Sequence, residues 1–323
     1  MPTERLTLNW KNKMGRKRKG DLVDGWVILD KPAGLGSTAA VSIVRRLFNA
    51  QKAGHAGTLD PAASGVLPIA LGEATKTIPY VMDGEKNYAF TVLFGSSTTT
   101  DDAEGEIVAT TDKIPTEAEI RAVLPSFVGE IDQVPPKYSA VHVDGKRAYA
   151  LARENKDVEL APRRIRIHSL EMTGFSGQSA DFTVDCSKGT YVRSIARDLA
   201  EKLGSLGHVT ALRRLKCAKF SIQNTFSLEY LKSKEHSSIW TDVLLPVETV
   251  LDGIPALAVT ETQAQLLSNG GFLPAPDLTD GVYQAKTENR LTAIVRVQDG
   301  QIRPVRVINR HDLGEHDVDY SRT

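Results

Sequence analysis

The segment Gly54–Gly72, GHAGTLDPAASGVLPIALG, constrains this chain more than any other. Gly54, Gly57, Gly65 and Gly72 punctuate it, and Asp60-Pro61 lies near its centre. Proline removes a backbone donor and clashes within a helix, and an Asp-Pro step favours a turn. Glycine lets the backbone adopt positive φ and approach another group closely. The segment therefore reads as a rigid loop that presents one acid, Asp60, and one histidine, His55, from a surrounding scaffold. On residues alone two readings stay open, a site for chemistry or a structural turn capped by Asp60. The adjoining Gly72-Glu73-Ala74-Thr75-Lys76 lacks the glycine spacing of a phosphate loop, which excludes nucleoside triphosphate binding.

The flanking chain supplies the scaffold. Gly25–Leu29 predicts a strand, broken at Asp30–Gly34. Ser37 predicts the N-cap of a helix to about Asn49, with Ala40, Val41, Val44, Leu47 and Phe48 on its apolar face. Strands are expected at 87–95, 165–174, 180–187 and 208–222, and helices at 116–124 and 190–203. After about Ile254 the pattern changes to one short helix near 260–267 and short strands near 281–286, 291–298 and 302–308. Turns at Glu288-Asn289 and Asp299-Gly300 separate these strands, as in a small β-barrel. With 323 residues the chain is too long for one small core. The expected division is a flexible basic arm (1–21), a main domain (22–245) with a basic insert near 134–166, a small domain (250–313) and a tail (314–323).

Lysine plus arginine equals aspartate plus glutamate at 40 each, yet the charges are segregated. Within residues 1–20, Arg5, Lys11, Lys13, Arg16, Lys17, Arg18 and Lys19 face only Glu4. A second basic cluster spans 188–219, whereas 101–134 carries nine acids against two bases. Basic surface gathered on one face can bind a polyanion whatever the total charge. In the insert, Tyr138 and Tyr149 alternate with Lys137, Lys146, Arg147, Arg153 and Lys156. Aromatics stack on bases while cations meet phosphates, so this mixture suits RNA, although a solvated hairpin has the same composition. Cys186 and Cys217 lack any metal-ligand spacing and read as reduced thiols, in keeping with a cytoplasmic protein. No run of about 18 apolar residues suggests a membrane span.

Gly54–Thr75 closely resembles the signature of the TruB family of tRNA pseudouridine synthases. Further matching segments follow the family's order: GWVILDKP at 25–32, KNY at 86–88, GSSTTTDDAEG at 95–105, PPKYSAVHVDGKRAYALAR at 135–153, CSKGTYVR at 186–193 and HVTALRRL at 208–215. The resemblance spans residues 22–225. It implies an α+β fold, a mixed β-sheet catalytic domain followed by a small β-barrel domain of the PUA type. It also implies isomerisation of uridine 55 in the tRNA T-loop without cofactor or metal, with the tRNA T-stem-loop as partner and no obligatory protein partner.

By the same resemblance, Asp60 is the catalytic carboxylate, Tyr88 packs on the target base and Arg193 pairs with Asp60. Lys31 has a supportive role, and His55 fills space left by the flipped nucleotides. Gly57, Thr58, Lys137, Tyr138, Arg147, Arg153 and Lys188 are expected to contact RNA. Ala56 and Ser64 stand where threonine is commoner, and His142 where lysine is frequent. Isomerisation breaks N1–C1′, rotates the uracil and rejoins it through C5. A carboxylate could attack C6 or C1′, or remove the 2′ proton, and each route needs it ionised. Burial would raise the pKa of Asp60 and a neighbouring arginine would lower it. Two alternatives stay open, a tRNA-binding or tRNA-folding protein without catalysis and a related synthase acting on another RNA. Since every residue given a chemical role precedes about 225, removal of the chain beyond Leu245 is expected to weaken RNA binding and leave slow turnover.

Overall fold

The structure, a computed structural model, describes residues 20–139, 141–143, 146–148, 151, 160–234, 242–288 and 290–309. The expectations for the basic arm through residue 19, for Tyr149, Arg153 and Lys156, and for the tail 314–323 lie outside these residues. Of Arg147 only the backbone is described, in a short strand paired with His142–Val143.

A mixed ten-stranded sheet forms the frame. Its first four strands in chain order are β1 (Gly25–Lys31), β2 (Ala53–His55), β3 (Ser64–Leu71) and β4 (Lys86–Phe94). Across its centre the order is β1, β3, strand Gly207–Cys217, β4, strand Ser179–Cys186 and strand Arg163–Ser176. β3 runs parallel to Gly207–Cys217 and antiparallel to β1, and β4 runs antiparallel to both of its neighbours. β4, KNYAFTVLF, buries alternate residues, because successive side chains leave a strand on opposite faces. β1 and β3 are instead apolar nearly throughout. Val27, Leu29, Leu67, Ile69 and Leu71 join one core, and Trp26, Ile28, Val66 and Ala70 join another on the opposite face. Such strands need cover on both sides.

Helix α1 (Ser37–Leu47) and helix Val192–Lys202 cover the first face. The second face is covered by Val247, Leu251, Leu291, Ile294 and Ile308. The last three belong to or adjoin a five-stranded half-barrel built from strands between Ala256 and Val307, capped by helix Glu261–Ser268. The small sheet is thus packed onto the large one, and Lys76 reinforces the contact by donating to the Val307 carbonyl at 2.7 Å.

Three local expectations change. Ser37 is the first helical residue and Gly36 the N-cap, because the Ser37 hydroxyl is used elsewhere, as shown below. The strand expected through 222 ends at Cys217, where Ala218 turns the chain at φ 52°. Arg163, Arg164 and Arg166 lie on strand Arg163–Ser176, paired with Gly129–Gln133, so they belong to the main sheet and not to the insert.

Candidate active site

Asp60 lies in the connection between β2 and β3, and four hydrogen bonds fix its neighbours Leu59 and Pro61. The Ser37 hydroxyl donates to the Leu59 carbonyl at 2.7 Å and accepts from the Leu59 amide at 2.8 Å. Gly34 donates to the Pro61 carbonyl at 2.8 Å. The Lys31 ammonium donates to the Leu35 carbonyl at 2.6 Å and to the Pro61 carbonyl at 3.2 Å. Helix α1, the end of β1 and the Asp60 loop therefore hold one another. Lys31 is fully buried, and burial drops its pKa to about 8, while the Asp60 charge resists the fall.

The Arg193 guanidinium lies 3.0 Å from the Asp60 carboxylate. It is itself 6% exposed, whereas the Asp60 side chain is 38% exposed. The carboxylate thus opens to solvent while its cation lies behind it. Arg193 sits in the first turn of helix Val192–Lys202 and also donates to the carbonyls of Thr100 at 2.7 Å and Tyr138 at 2.9 Å. A second carboxylate, Asp102, lies 3.4 Å from it. Asp102 is fixed by the Thr100 hydroxyl at 2.5 Å and the Glu104 amide at 3.0 Å. Burial raises the Asp60 pKa, Arg193 opposes this, and Asp102 adds to the rise, with a net shift upward. The arginine does not overcome the desolvation, to which the like charge of Asp102 adds.

Tyr88 is 9% exposed on β4. Burial pushes its pKa to about 12, so the phenol stays protonated in neutral solution. His55 ends β2, with its pKa lowered by burial and by the Arg214 charge, and its Nδ1 has no hydrogen-bond partner within the described residues. Gly57 is half-buried and Thr58 exposed on the same loop. Lys137 is exposed, and Tyr138 reaches the site through its carbonyl. Lys188 pairs with Asp83 at 2.8 Å on the surface, and no described contact links it to Asp60.

In the sequence, Asp102, Tyr191 and Arg214 carry no legible role, and Ser37 only that of a helix cap. Tyr191 is close enough to Asp60 for its charge to act on the phenol, and it packs against the cluster of Val141, Ala148 and Leu160 in the insert. Asp102 falls in the acidic run 101–134 and in the matching segment 95–105, neither of which assigns it a role. Its bridge to Val209 turns it inward.

Residues 45–192 match the family profile for TruB family pseudouridylate synthases, N-terminal domain, and residues 193–252 match that for the tRNA pseudouridylate synthase B C-terminal domain. A tRNA pseudouridine synthase B of Caulobacter sp. (strain K31) is 50% identical over 306 residues, covering 91% of this chain and 99% of that protein. The chain belongs to the TruB family. A second relative, a tRNA pseudouridine synthase B of Nitrobacter winogradskyi, is 49% identical, covering 94% of this chain and 87% of its own. Among solved structures, a Cbf5–Nop10–Gar1 complex aligns with TM-score 0.64 and 25% identity, covering 85% of this chain and 78% of that one. An H/ACA ribonucleoprotein bound to a substrate RNA aligns with TM-score 0.67 and 21% identity over 94% and 93%, which shows the shared fold. The mixed-sheet α+β architecture expected of the family is the one observed.

Proposed function

We propose that this TruB-family chain isomerises uridine 55 in the T-loop of tRNA to pseudouridine, with Asp60 as its catalytic carboxylate. The observation that carries this reading is the pairing of a solvent-open carboxylate, on a loop tied at several points, with a buried arginine. The reaction conserves every atom and is redox-neutral, so a carboxylate, a cation and a phenol suffice as the chain's contribution. A stacked base is unreachable, and its extrusion costs a few kcal/mol. His55, kept uncharged by burial and by Arg214, offers a flat face that offsets part of that cost by stacking. A protein that only bound RNA would gain nothing from a carboxylate facing an anionic ligand, which argues against the non-catalytic alternative. Residues 250–313 are assigned to RNA binding as a PUA-like domain, and the exposed bases near 137 to the phosphates. A cytoplasmic location belongs to the same proposal, since the substrate is tRNA. Tritium release from 5-tritiated uridine in tRNA tests the activity, and absence of release from T-loop uridine would remove the reading.

Tyr88→Phe keeps the flat ring and loses the hydroxyl. Because the phenol stays protonated, its hydroxyl can serve as a proton donor to the detached or rotating base. Turnover should fall by roughly 10²–10⁴ while RNA binding persists. Near-normal turnover would confine Tyr88 to packing.

The pH profile tests the electrostatics. Activity needs Asp60 ionised, and its pKa lies above the ordinary carboxylate value. The acid limb of kcat/KM should therefore sit above that value. Asp102→Asn removes a like charge beside Asp60 and should move the limb to lower pH, while kcat falls because Arg193 loses an anchoring carboxylate. An acid limb at the same pH in both proteins would show that Asp102 does not act on Asp60.

A further inference from the structure

Arg214 is 1% exposed and has no carboxylate within ion-pair distance among the described residues. A buried, unpaired guanidinium is costly, so its retention calls for a physical account. Its Nε donates to the Val66 carbonyl at 2.7 Å and its Nη2 to the Gly57 carbonyl at 3.0 Å. Arg214 is also the strand neighbour of Tyr88 in register, which brings its charge close enough to act on the phenol. Arg214 is also the strand neighbour of Gly65.

The two glycines that bracket Asp60 both face this residue. Gly57 has φ +87°, and a Cβ there would lie 3.4 Å from the Arg214 Nη1. Gly65 has φ +102°, and a Cβ there would lie 2.2 Å from the Arg214 carbonyl oxygen. The loop from Gly57 to Gly65 is thus held at one end by the Arg214 side chain and at the other by its backbone.

We propose that Arg214 is a positioning residue for the isomerisation, holding the Asp60 loop through its planar fork and keeping that loop in register with its strand neighbour Tyr88. The inference rests on the activity proposed above. It differs from a packing role in being directional. The fork holds two donors, Nε and Nη2, in fixed geometry on the Val66 and Gly57 carbonyls, and an ammonium on a flexible stem does not reproduce that planar arrangement. The cation also acts on His55, whose pKa it depresses, and among the described residues no other charged group does so appreciably.

The test is single-turnover conversion of 5-tritiated tRNA by Arg214→Lys and Arg214→Met at saturating enzyme, with RNA affinity and the NMR titration of the His55 imidazole measured on the same preparations. The rate should fall by about 10²-fold, the scale of a small misplacement of reacting groups, with RNA affinity unchanged. In Arg214→Met the His55 titration should move to higher pH as the nearby charge is lost. A folded Arg214→Lys protein within about twofold of the wild-type rate would overturn the proposal, being far above the loss that misplacement predicts. So would folded variants that lose thermal stability alone, with rate and His55 titration unmoved. If neither variant folds, the guanidinium resonances of Arg214 in otherwise intact protein decide the point. Replacing Tyr88 by Phe should shift them, and unshifted resonances would refute the directional link. Wild-type turnover in the same assay tests the proposed activity separately, because the NMR couplings do not depend on which RNA is the substrate.

Discussion

Asp60→Asn is expected to abolish uridine isomerisation while leaving tRNA binding intact or tighter. The amide keeps the size and most of the hydrogen-bonding shape of the carboxylate. It is a poor nucleophile and cannot accept the 2′ proton, so attack at C6, attack at C1′ and 2′ deprotonation fail together. Binding should hold, because removal of a negative charge from an open site eases the approach of a phosphate backbone. Burial and Asp102 hold the Asp60 pKa above its unfolded value. The folded state therefore binds this proton more tightly. The stability it contributes is present below the unfolded pKa and lost as pH rises through the folded one, so in neutral solution the ionised carboxylate is a net cost to folding. Asparagine carries no such charge, and Arg193 keeps Asp102 and the carbonyls of Thr100 and Tyr138. The melting temperature of Asp60→Asn in neutral buffer should be unchanged or higher. The measurements are tritium release, RNA affinity and thermal unfolding on one preparation. Retention of even about a tenth of the wild-type turnover, a deficit of only ~1.4 kcal/mol in the barrier, would sink the assignment.

Asp60 was legible because its signals are local. A glycine-punctuated loop around Asp-Pro can be recognised without knowing what it touches. β4 and helix Val192–Lys202 were legible for a similar reason, since alternation and helical spacing record which face is buried. Arg214 shows where this stops. It sits in a run of bases, Arg213-Arg214-Leu215-Lys216, and composition assigns such a run to solvent. The strand sends Arg213 toward Asp30 at 2.7 Å with its side chain 40% exposed, and sends Arg214 into the protein. Only the register with β3 and β4 distinguishes the two. Asp102 is a similar case. It is 42 positions from Asp60 in sequence, and what joins them is Arg193, a further 91 positions on. Ser37 was placed correctly at a helix start but given the wrong partner, because a capping signal looks the same whether the hydroxyl bonds its own helix or the Leu59 backbone. The insert's hold on the site, through the Tyr138 carbonyl and Tyr191, lies in backbone and packing contacts to which composition is blind.

Removal of the chain beyond Leu245 should cost the fold itself and not merely RNA affinity, contrary to what the position of the catalytic motifs suggests. The motifs all precede residue 225, yet the core behind them does not. Val247, Leu251, Leu291 and Ile294 are fully buried, Ile308 nearly so, against Trp26, Ile28, Val66 and Ala70. Ala56, next to His55, belongs to the same cluster, so the back of the Asp60 loop rests on it. Burial of each such aliphatic side chain is worth about 1.5–3 kcal/mol. Five of them together approach the whole stability of a typical protein, about 5–15 kcal/mol. Truncation would also expose Trp26 and Ile28 as one apolar patch, which favours association. The expected product of a chain ending at Leu245 is an insoluble or non-cooperatively unfolding protein without turnover. A chain ending at Ile254 keeps Val247 and Leu251 and should be more soluble but still destabilised. In the full-length protein, Ile294→Ala leaves every RNA-facing group in place and should cost about 2–5 kcal/mol of stability. Solubility, cooperative unfolding by circular dichroism and turnover at saturating tRNA separate the cases. If the chain ending at Leu245 unfolds cooperatively and turns over slowly at saturating tRNA, the small sheet serves RNA alone, and the core it shares with β1 and β3 is dispensable.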